Sequence, residues 1–280
     1  MREVTISQAI SNAQSQGLNR LDVQMLMLQA LGRPTHDRAW LLAHDTDMLT
    51  TDAQTVFDAG VRRRSMGEPL AYITGYKEFF GVDLKVDCRV LIPRPDTETL
   101  VRWALDVLDA MSAPALSVVD LGTGSGAIAL AIKLARPDLM VSATDVSGDA
   151  LQVAQSNARR LQLHVQFSQG AWFAGWPMPG QRFHAILSNP PYIASLDRHL
   201  GALRYEPISA LTSGIDGLDD IRSIIAQSGD YLHPGGWLLF EHGYDQAAEV
   251  RELLTAAGFE AVQSRKDLGN IERCSGGCRV

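Results

Sequence analysis

From about residue 116 onward, short runs rich in Val, Ile and Leu alternate with amphipathic runs of helical length. LSVVDLG is followed by GAIALAIKLAR, and MVSATD by GDALQVAQSNARRL. HVQFS and FHAILS are further strand-like runs. DDIRSIIAQSGDYL, GWLLFEHG, QAAEVRELLTAAG and FEAVQS then alternate helix and strand. Such alternation leaves few solutions, because parallel strands need crossover helices and those helices must cover the sheet. The expected architecture is a mostly parallel sheet with helices on both faces.

The first 70 or so residues have a different period. ISQAISNAQSQG stops at Gly17, and RLDVQMLMLQALG stops at Gly32. In the second run Leu21, Met25, Leu28 and Leu31 lie at helical spacing, with Val23 and Leu26 widening the face. HDRAWLLAH and TDAQTVFDAGVRRRSMG add two more amphipathic stretches, so residues 1–70 read as a small helical bundle. The three arginines at 62–64 read as a solvated helix face. Residues 71–90, rich in Tyr, Phe, Val and Gly, read as a β-hairpin linking the bundle to a domain over 91–280. Pro95 suits the first turn of the next helix, with Asp96 and Glu98 at its positive end.

Composition removes several classes. Of 280 residues, 46% are hydrophobic and 20% charged, as in an ordinary globular chain. A net charge of −7 argues against a broad non-specific nucleic-acid surface. No stretch approaches the ~18 apolar residues of a membrane span, and the N-terminus lacks a signal-peptide core. The expected location is the cytoplasm. Cys88, Cys274 and Cys278 form no disulfide framework, and CSGGC has no second Cys/His pair to complete a metal clip.

VVDLGTGSGAIAL joins the first strand to its helix through Gly122, Gly124 and Gly126, with Thr123 and Ser125 between them. Glycines allow a tight turn and a close backbone approach to a ligand. Asp145 ends the next strand about 20 residues on, where a carboxylate can hold ribose hydroxyls. NAD and S-adenosylmethionine both carry such a ribose. Asp120 leans toward the second, since DLGTGSG resembles the first motif of S-adenosylmethionine-dependent methyltransferases. A carboxylate there would repel a pyrophosphate and attract a cationic amino-acid tail and sulfonium.

SNPPYIA then ends the strand FHAILS. Two prolines forbid continuation of strand or helix and make a rigid corner. It falls at the same sheet edge as the glycine loop. There the Asn189 amide and the Pro190 carbonyl can accept both hydrogens of a substrate –NH₂ group, and Tyr192 offers a flat face.

The ordered set GEPLAYITGYKEFFG, LIPRPDTE, DLGTGSGAIAL, SNPPYI, RYEPISAL and LLFEHG closely resembles the bacterial release-factor glutamine methyltransferases, the HemK/PrmC family. The resemblance implies an α/β fold with a seven-stranded, mostly parallel, Rossmann-like class I methyltransferase sheet, plus the small N-terminal helical bundle. It implies S-adenosylmethionine as donor, S-adenosylhomocysteine as product, and methylation of the glutamine in the Gly-Gly-Gln tip of release factors, gripped partly by the N-terminal domain. By residue, it places Asp120, Gly122, Thr123, Gly124, Ser125, Gly126, Asp145, Trp172 and Asn189 at the donor. It places Asn189, Pro190, Pro191 and Tyr192 at the substrate, with Asn189, Pro190 and Tyr192 catalytic. A monomer without metal, membrane or direct nucleic-acid partner is expected. The alternatives are a sister enzyme acting on a ribosomal protein and an adenine-N6 methyltransferase. Two departures stand out. Ala171 occupies a position usually acidic before WF, and the C-terminal ERCSGGCRV is poor in apolar residues, so its strand is expected to be short or frayed.

Overall fold

The computed structural model describes residues 4–113, 115–174 and 180–280. The chain divides into two compact units, Met1–Tyr76 and Lys77–Val280. No helix among the described residues is long and apolar enough to cross a membrane.

The first unit contains α1 (Ile6–Ser15), α2 (Arg20–Ala30), α3 (Arg38–Ala43), α4 (Thr51–Ser65) and α5 (Leu70–Thr74). Thr5 and Gln8 form a reciprocal capping box at the start of α1. The buried face of α2 is Val23, Leu26, Met27 and Leu28, while Leu21 is exposed. The expected Leu21–Met25–Leu28–Leu31 seam is therefore rotated. Apolar residues lie on two opposite sides of α2, separated by Arg20 and Gln24 on one edge and Asp22 and Gln29 on the other, so its period does not choose a face. The choice is made by α4, whose Gly60 lets Leu26 approach to 3.0 Å from where a Cβ would stand. The arginine run is partly paired: Arg64 donates to Asp22 at 2.7 Å and Arg63 to Glu68 at 2.7 Å.

A two-stranded hairpin, β1 (Tyr76–Phe79) and β2 (Val82–Lys85), follows. Phe79, Val82 and Leu84 are buried in the core of the second unit, against Leu100, Trp103 and Leu130. The elements after it are α6 (Glu98–Asp109), β3 (Ser117–Leu121), α7 (Ala127–Ala135), β4 (Met140–Asp145), α8 (Gly148–Leu161), β5 (Gln166–Gln169) and β6 (Phe183–Ser188). They continue as α9 (Asp219–Tyr231), β7 (Leu232–Glu241), α10 (Ala247–Ala256), β8 (Phe259–Lys266) and β9 (Glu272–Arg279).

The seven-stranded sheet has the order β5-β4-β3-β6-β7-β9-β8. The first five strands are mutually parallel, and β9 runs antiparallel to both of its neighbours. One core layer holds Leu100, Trp103, Leu130 and Ile132; the other holds Ile221, Ile224, Val250 and Leu254. This is the α/β sheet expected from the alternation.

The closing strand corrects one expectation. β9 spans eight residues, and Cys274, Ser275, Gly276 and Gly277 are buried. It lies between β7 and β8 rather than fraying at the edge. A Cβ on Gly276 would stand 2.4 Å from Leu239 Cδ2, and one on Gly277 2.8 Å from Phe259 Cβ. The missing side chains leave room for those of the neighbouring elements.

Candidate active site

The chain lays β4 and β5 on one side of β3 and places β6 and β7 on the other. Loops leaving β3 and β6 therefore diverge, and a crevice opens beyond the carboxyl ends of the strands. A cleft of ≈ 250 Å³ lies there. Its walls include Gly122 and Gly124 after β3, Asp145 at the end of β4, Trp172 after β5, and Asn189 and Pro191 after β6.

The glycine loop is pinned to β4. The N–H groups of Gly122 and Thr123 both donate to the Thr144 carbonyl at 2.9 Å. Gly124 N–H donates to Asp145 Oδ2 at 2.8 Å, and Ser147 N–H to Oδ1 at 2.9 Å. Burial raises the Asp145 pKa, and these two donors oppose the rise. At Gly124, φ is +55° and a Cβ would meet nothing within 4 Å, so bare backbone faces the cleft. The Trp172 ring lies over Gly122, 3.3 Å from where a Cβ would stand. Ala171 lines the cleft and is exposed, so no carboxylate occupies that position.

Asp120 does not line the cleft; it is fully buried beneath the loop. Its Oδ2 accepts from the Thr123 hydroxyl at 2.6 Å and from Ala129 N–H at 3.3 Å, while Oδ1 has no partner among the described residues. Burial pushes its pKa up to about 7 against those two donors. Its visible work is to tie the loop to α7. Thr123 and Ser125 are also buried, and the Ser125 carbonyl accepts from Asn157 at 3.0 Å. Gly126 lies against α8 at Ala154. None of these three lines the cleft.

The corner after β6 is anchored by the Ser188 hydroxyl, which donates to the Leu121 carbonyl at 2.8 Å. Asn189 is half-buried, and its Nδ2 donates to Thr97 Oγ1 at 3.3 Å. Pro190 is buried, and Pro191 reaches the cleft wall. Tyr192 is not on that wall. Its hydroxyl donates to Glu241 Oε1 at 3.3 Å, and its carbonyl accepts from Gln246 Nε2 at 3.1 Å. Burial, then the charge of Glu241, raises the Tyr192 pKa.

Sequence reading assigned no role to several residues that build this site. Arg89, Val90 and Leu91 line the cleft. Buried Glu206 accepts from Ile92 N–H at 3.1 Å and from Arg94 at 2.5 Å, joining LIPRP to RYEP. Thr97 and Glu241 stand behind the corner. The quoted motifs contain Leu91, Ile92, Arg94, Thr97, Glu206 and Glu241, while Arg89 and Val90 fall just before LIPRPDTE, and nothing in the spacing gives their partners.

The wall chemistry fits an adenosine-bearing sulfonium: a carboxylate at a strand end, bare glycine backbone, an indole ring, and no basic cluster for a pyrophosphate. No group of His, Cys, Asp and Glu suited to a metal ion occurs among the described residues.

Two family models match: PrmC N-terminal domain over residues 6–75 and Methyltransferase small domain over residues 103–204. Curated proteins named release factor glutamine methyltransferase are similar over almost the full length. The protein from Burkholderia pseudomallei is 48% identical, covering 93% of this chain and 92% of its own. That from Xylella fastidiosa strain 9a5c is 47% identical, covering 96% of each. The chain belongs to the release factor glutamine methyltransferase family. The Vibrio cholerae member, at 41% identity, covers 97% of this chain and 94% of its own.

Solved structures agree on the fold. A Pyrococcus furiosus methyltransferase superposes with TM-score 0.53 at 18% identity, covering 71% of this chain and 90% of its own. The Thermus thermophilus 16S rRNA N2 G1207 methyltransferase, solved with AdoMet and guanosine, gives 0.53 at 18%, covering 73% and 50%.

Proposed function

We propose that this protein transfers a methyl group from S-adenosylmethionine to the side-chain amide nitrogen of the glutamine in the Gly-Gly-Gln motif of peptide chain release factors. The observation carrying this reading is that Asn189 and Pro191 of the Asn-Pro-Pro-Tyr corner share one cleft with the Gly124–Asp145 wall in a member of this family.

Gly122, Gly124, Asp145 and Trp172 would hold the donor, which supplies an electrophilic methyl group on a sulfonium. The protein's part is to manage a poor nucleophile. Amide resonance ties up the nitrogen lone pair, and no strong base lines the corner. Asn189 Oδ1 and the Pro190 carbonyl accept the two N–H bonds and turn the lone pair toward the methyl carbon. Positioning of this kind can supply roughly 7–11 kcal/mol when alignment is ideal. Acceptors on both N–H bonds also stabilise positive charge growing on nitrogen. Two prolines hold the acceptors in place before substrate arrives.

Residues 1–70 are assigned to docking of the release factor, supported by the match of residues 6–75 to the PrmC N-terminal domain. The enzyme is assigned as a monomer. Mass spectrometry of release factors incubated with the protein and isotope-labelled donor tests the reading. One labelled methyl group on the Gly-Gly-Gln glutamine is expected. Label on a ribosomal protein or on RNA, with none on the factors, would replace it.

A further inference from the structure

The acceptors of the corner work only while they stay aimed. Rings fix φ at Pro190 and Pro191, and ψ at each remains the soft torsion. Rotation there swings the Pro190 carbonyl unless the chain is held on both sides of the pair. Ahead of the prolines the hold is β6 itself, with the Ser188 hydroxyl on the Leu121 carbonyl. Beyond them the chain leaves the sheet. Ile193 N–H donates to the Leu211 carbonyl at 2.9 Å, and the Ile193 carbonyl accepts from Ser213 N–H at 3.0 Å.

One side chain closes this far side. Gln246 stands immediately before α10 and does not line the cleft. Its Oε1 accepts from Gly243 N–H at 2.8 Å. Its Nε2 donates to the Tyr192 carbonyl at 3.1 Å and to the Asp216 carbonyl at 3.2 Å. All three partners are backbone groups whose polarity cannot reverse, so the amide has one orientation, and its two N–H bonds meet two carbonyls. Tyr192 directly follows Pro191, so its carbonyl is the first one beyond the proline pair. Asp216 lies in the segment that brings Pro207, Ser209, Ala210 and Asp220 to the cleft wall. Gly217 lets the two stretches meet: its φ is +80°, and a Cβ there would overlap the Tyr192 carbonyl oxygen. The amide of Gln246 thus fastens the corner, and a second stretch of cleft wall, to the turn between β7 and α10.

We propose that Gln246 is a positioning residue whose amide clamps the Tyr192 and Asp216 carbonyls and so holds Asn189 and the Pro190 carbonyl in the alignment that aims the substrate amide. The inference rests on the proposed methylation of a side-chain amide. Gln246 acts through the backbone, from outside the cleft.

The test uses the full-length enzyme and purified release factor. Gln246→Glu keeps the length and the oxygen that accepts from Gly243, but turns a second oxygen toward the two carbonyls. Gln246→Ala removes both ends and leaves room for water to satisfy the freed groups. Each is expected to lower kcat by about tenfold or more, because a small misplacement of a reacting group is enough. KM for release factor should stay within about threefold, with donor affinity by calorimetry near wild type. A residue that merely braced the turn at Gly243 would give another order, with Gln246→Glu as active as wild type. Wild-type kcat in a folded Gln246→Glu, a loss confined to KM, or donor affinity falling in step with kcat overturns the proposal. If Gln246→Glu does not fold, Gln246→Ala carries the same test; failure of both to fold would make Gln246 a residue of stability and overturn it as well. A wild-type enzyme that binds donor but leaves release factor unmodified would instead overturn the functional reading beneath it.

Discussion

Two glycines of one loop should fail in different ways when given the same methyl group. Gly124 and Gly126 both have positive φ, +55° and +86°. A left-handed backbone costs an L-residue roughly 1–2 kcal/mol. At Gly124 that is the whole stability cost, because a Cβ there meets no atom within 4 Å. For a domain of this size, 1 kcal/mol shifts the melting temperature by about 2–4 °C, so Gly124→Ala should lose roughly 2–8 °C. The methyl group instead occupies the cleft wall, where crowding of a bound molecule costs about 1–3 kcal/mol, or roughly a 5- to 150-fold loss of donor affinity. At Gly126 the Cβ would stand 3.0 Å from Leu130 Cδ1, 3.3 Å from Ala154 Cβ and 3.4 Å from Ala154 Cα. Overpacking then adds to backbone strain, for a total of roughly 2–5 kcal/mol. Melting with and without S-adenosylmethionine separates the two. At 100 times the wild-type Kd, donor should stabilise wild type by about 2.7 kcal/mol and Gly124→Ala by only about 0.3–1.8 kcal/mol. Gly126→Ala should melt lowest without donor. Full donor stabilisation of Gly124→Ala, or Gly126→Ala melting like wild type, would refute the division of the loop into a ligand-facing and a core-facing glycine.

Asp145→Ala should weaken donor binding by roughly 1–3 kcal/mol; unchanged affinity by calorimetry would mean that another group holds the ribose. Asn189→Ala should keep donor affinity within about tenfold while turnover on release factor falls by ~10²-fold or more; a rise in KM alone would make the corner a binding turn. Asp120 makes a pH prediction. Its folded pKa of about 7 lies above the usual carboxylate range, so the native state holds more protons than the unfolded state between about pH 4 and pH 7. The stabilisation is present below about pH 4 and is lost as pH rises through about 7, on the order of 4 kcal/mol. Urea unfolding at pH 5 and pH 8 should show Asp120→Asn losing much less stability with rising pH than wild type; identical slopes would refute it.

The architecture and the two ends of the site were legible because each is written in adjacent residues. Alternating periods dictate the parallel sheet, the glycines open a loop at a strand end, and two prolines stop a chain wherever they fall. The cleft itself depends on where the chain reverses strand order, yet the reversal always puts loops after β3 and β6 at one edge.

Other features were decided only in three dimensions. β3 is buried on both faces from Ser117 to Leu121, so alternation along the strand says nothing about where Asp120 points. The packed loop settles it, turning the carboxyl under the glycines instead of into the cleft. α2 hides its face for a related reason, since it carries apolar residues on two opposite sides. The C-terminal glycines looked like weakness because composition counts what a residue contributes and not the space that its neighbours need. Thr97 and Asn189 are 92 residues apart, Tyr192 and Glu241 49, and Arg94 and Glu206 112. A lone Thr or Glu has no local signature, and its chemistry comes from the partner that the fold delivers to it. The sequence by itself determined which groups can do chemistry at this sheet edge; the tertiary structure decided which way each of them faces, because hydrogen-bond direction depends on neighbours that only folding brings within reach.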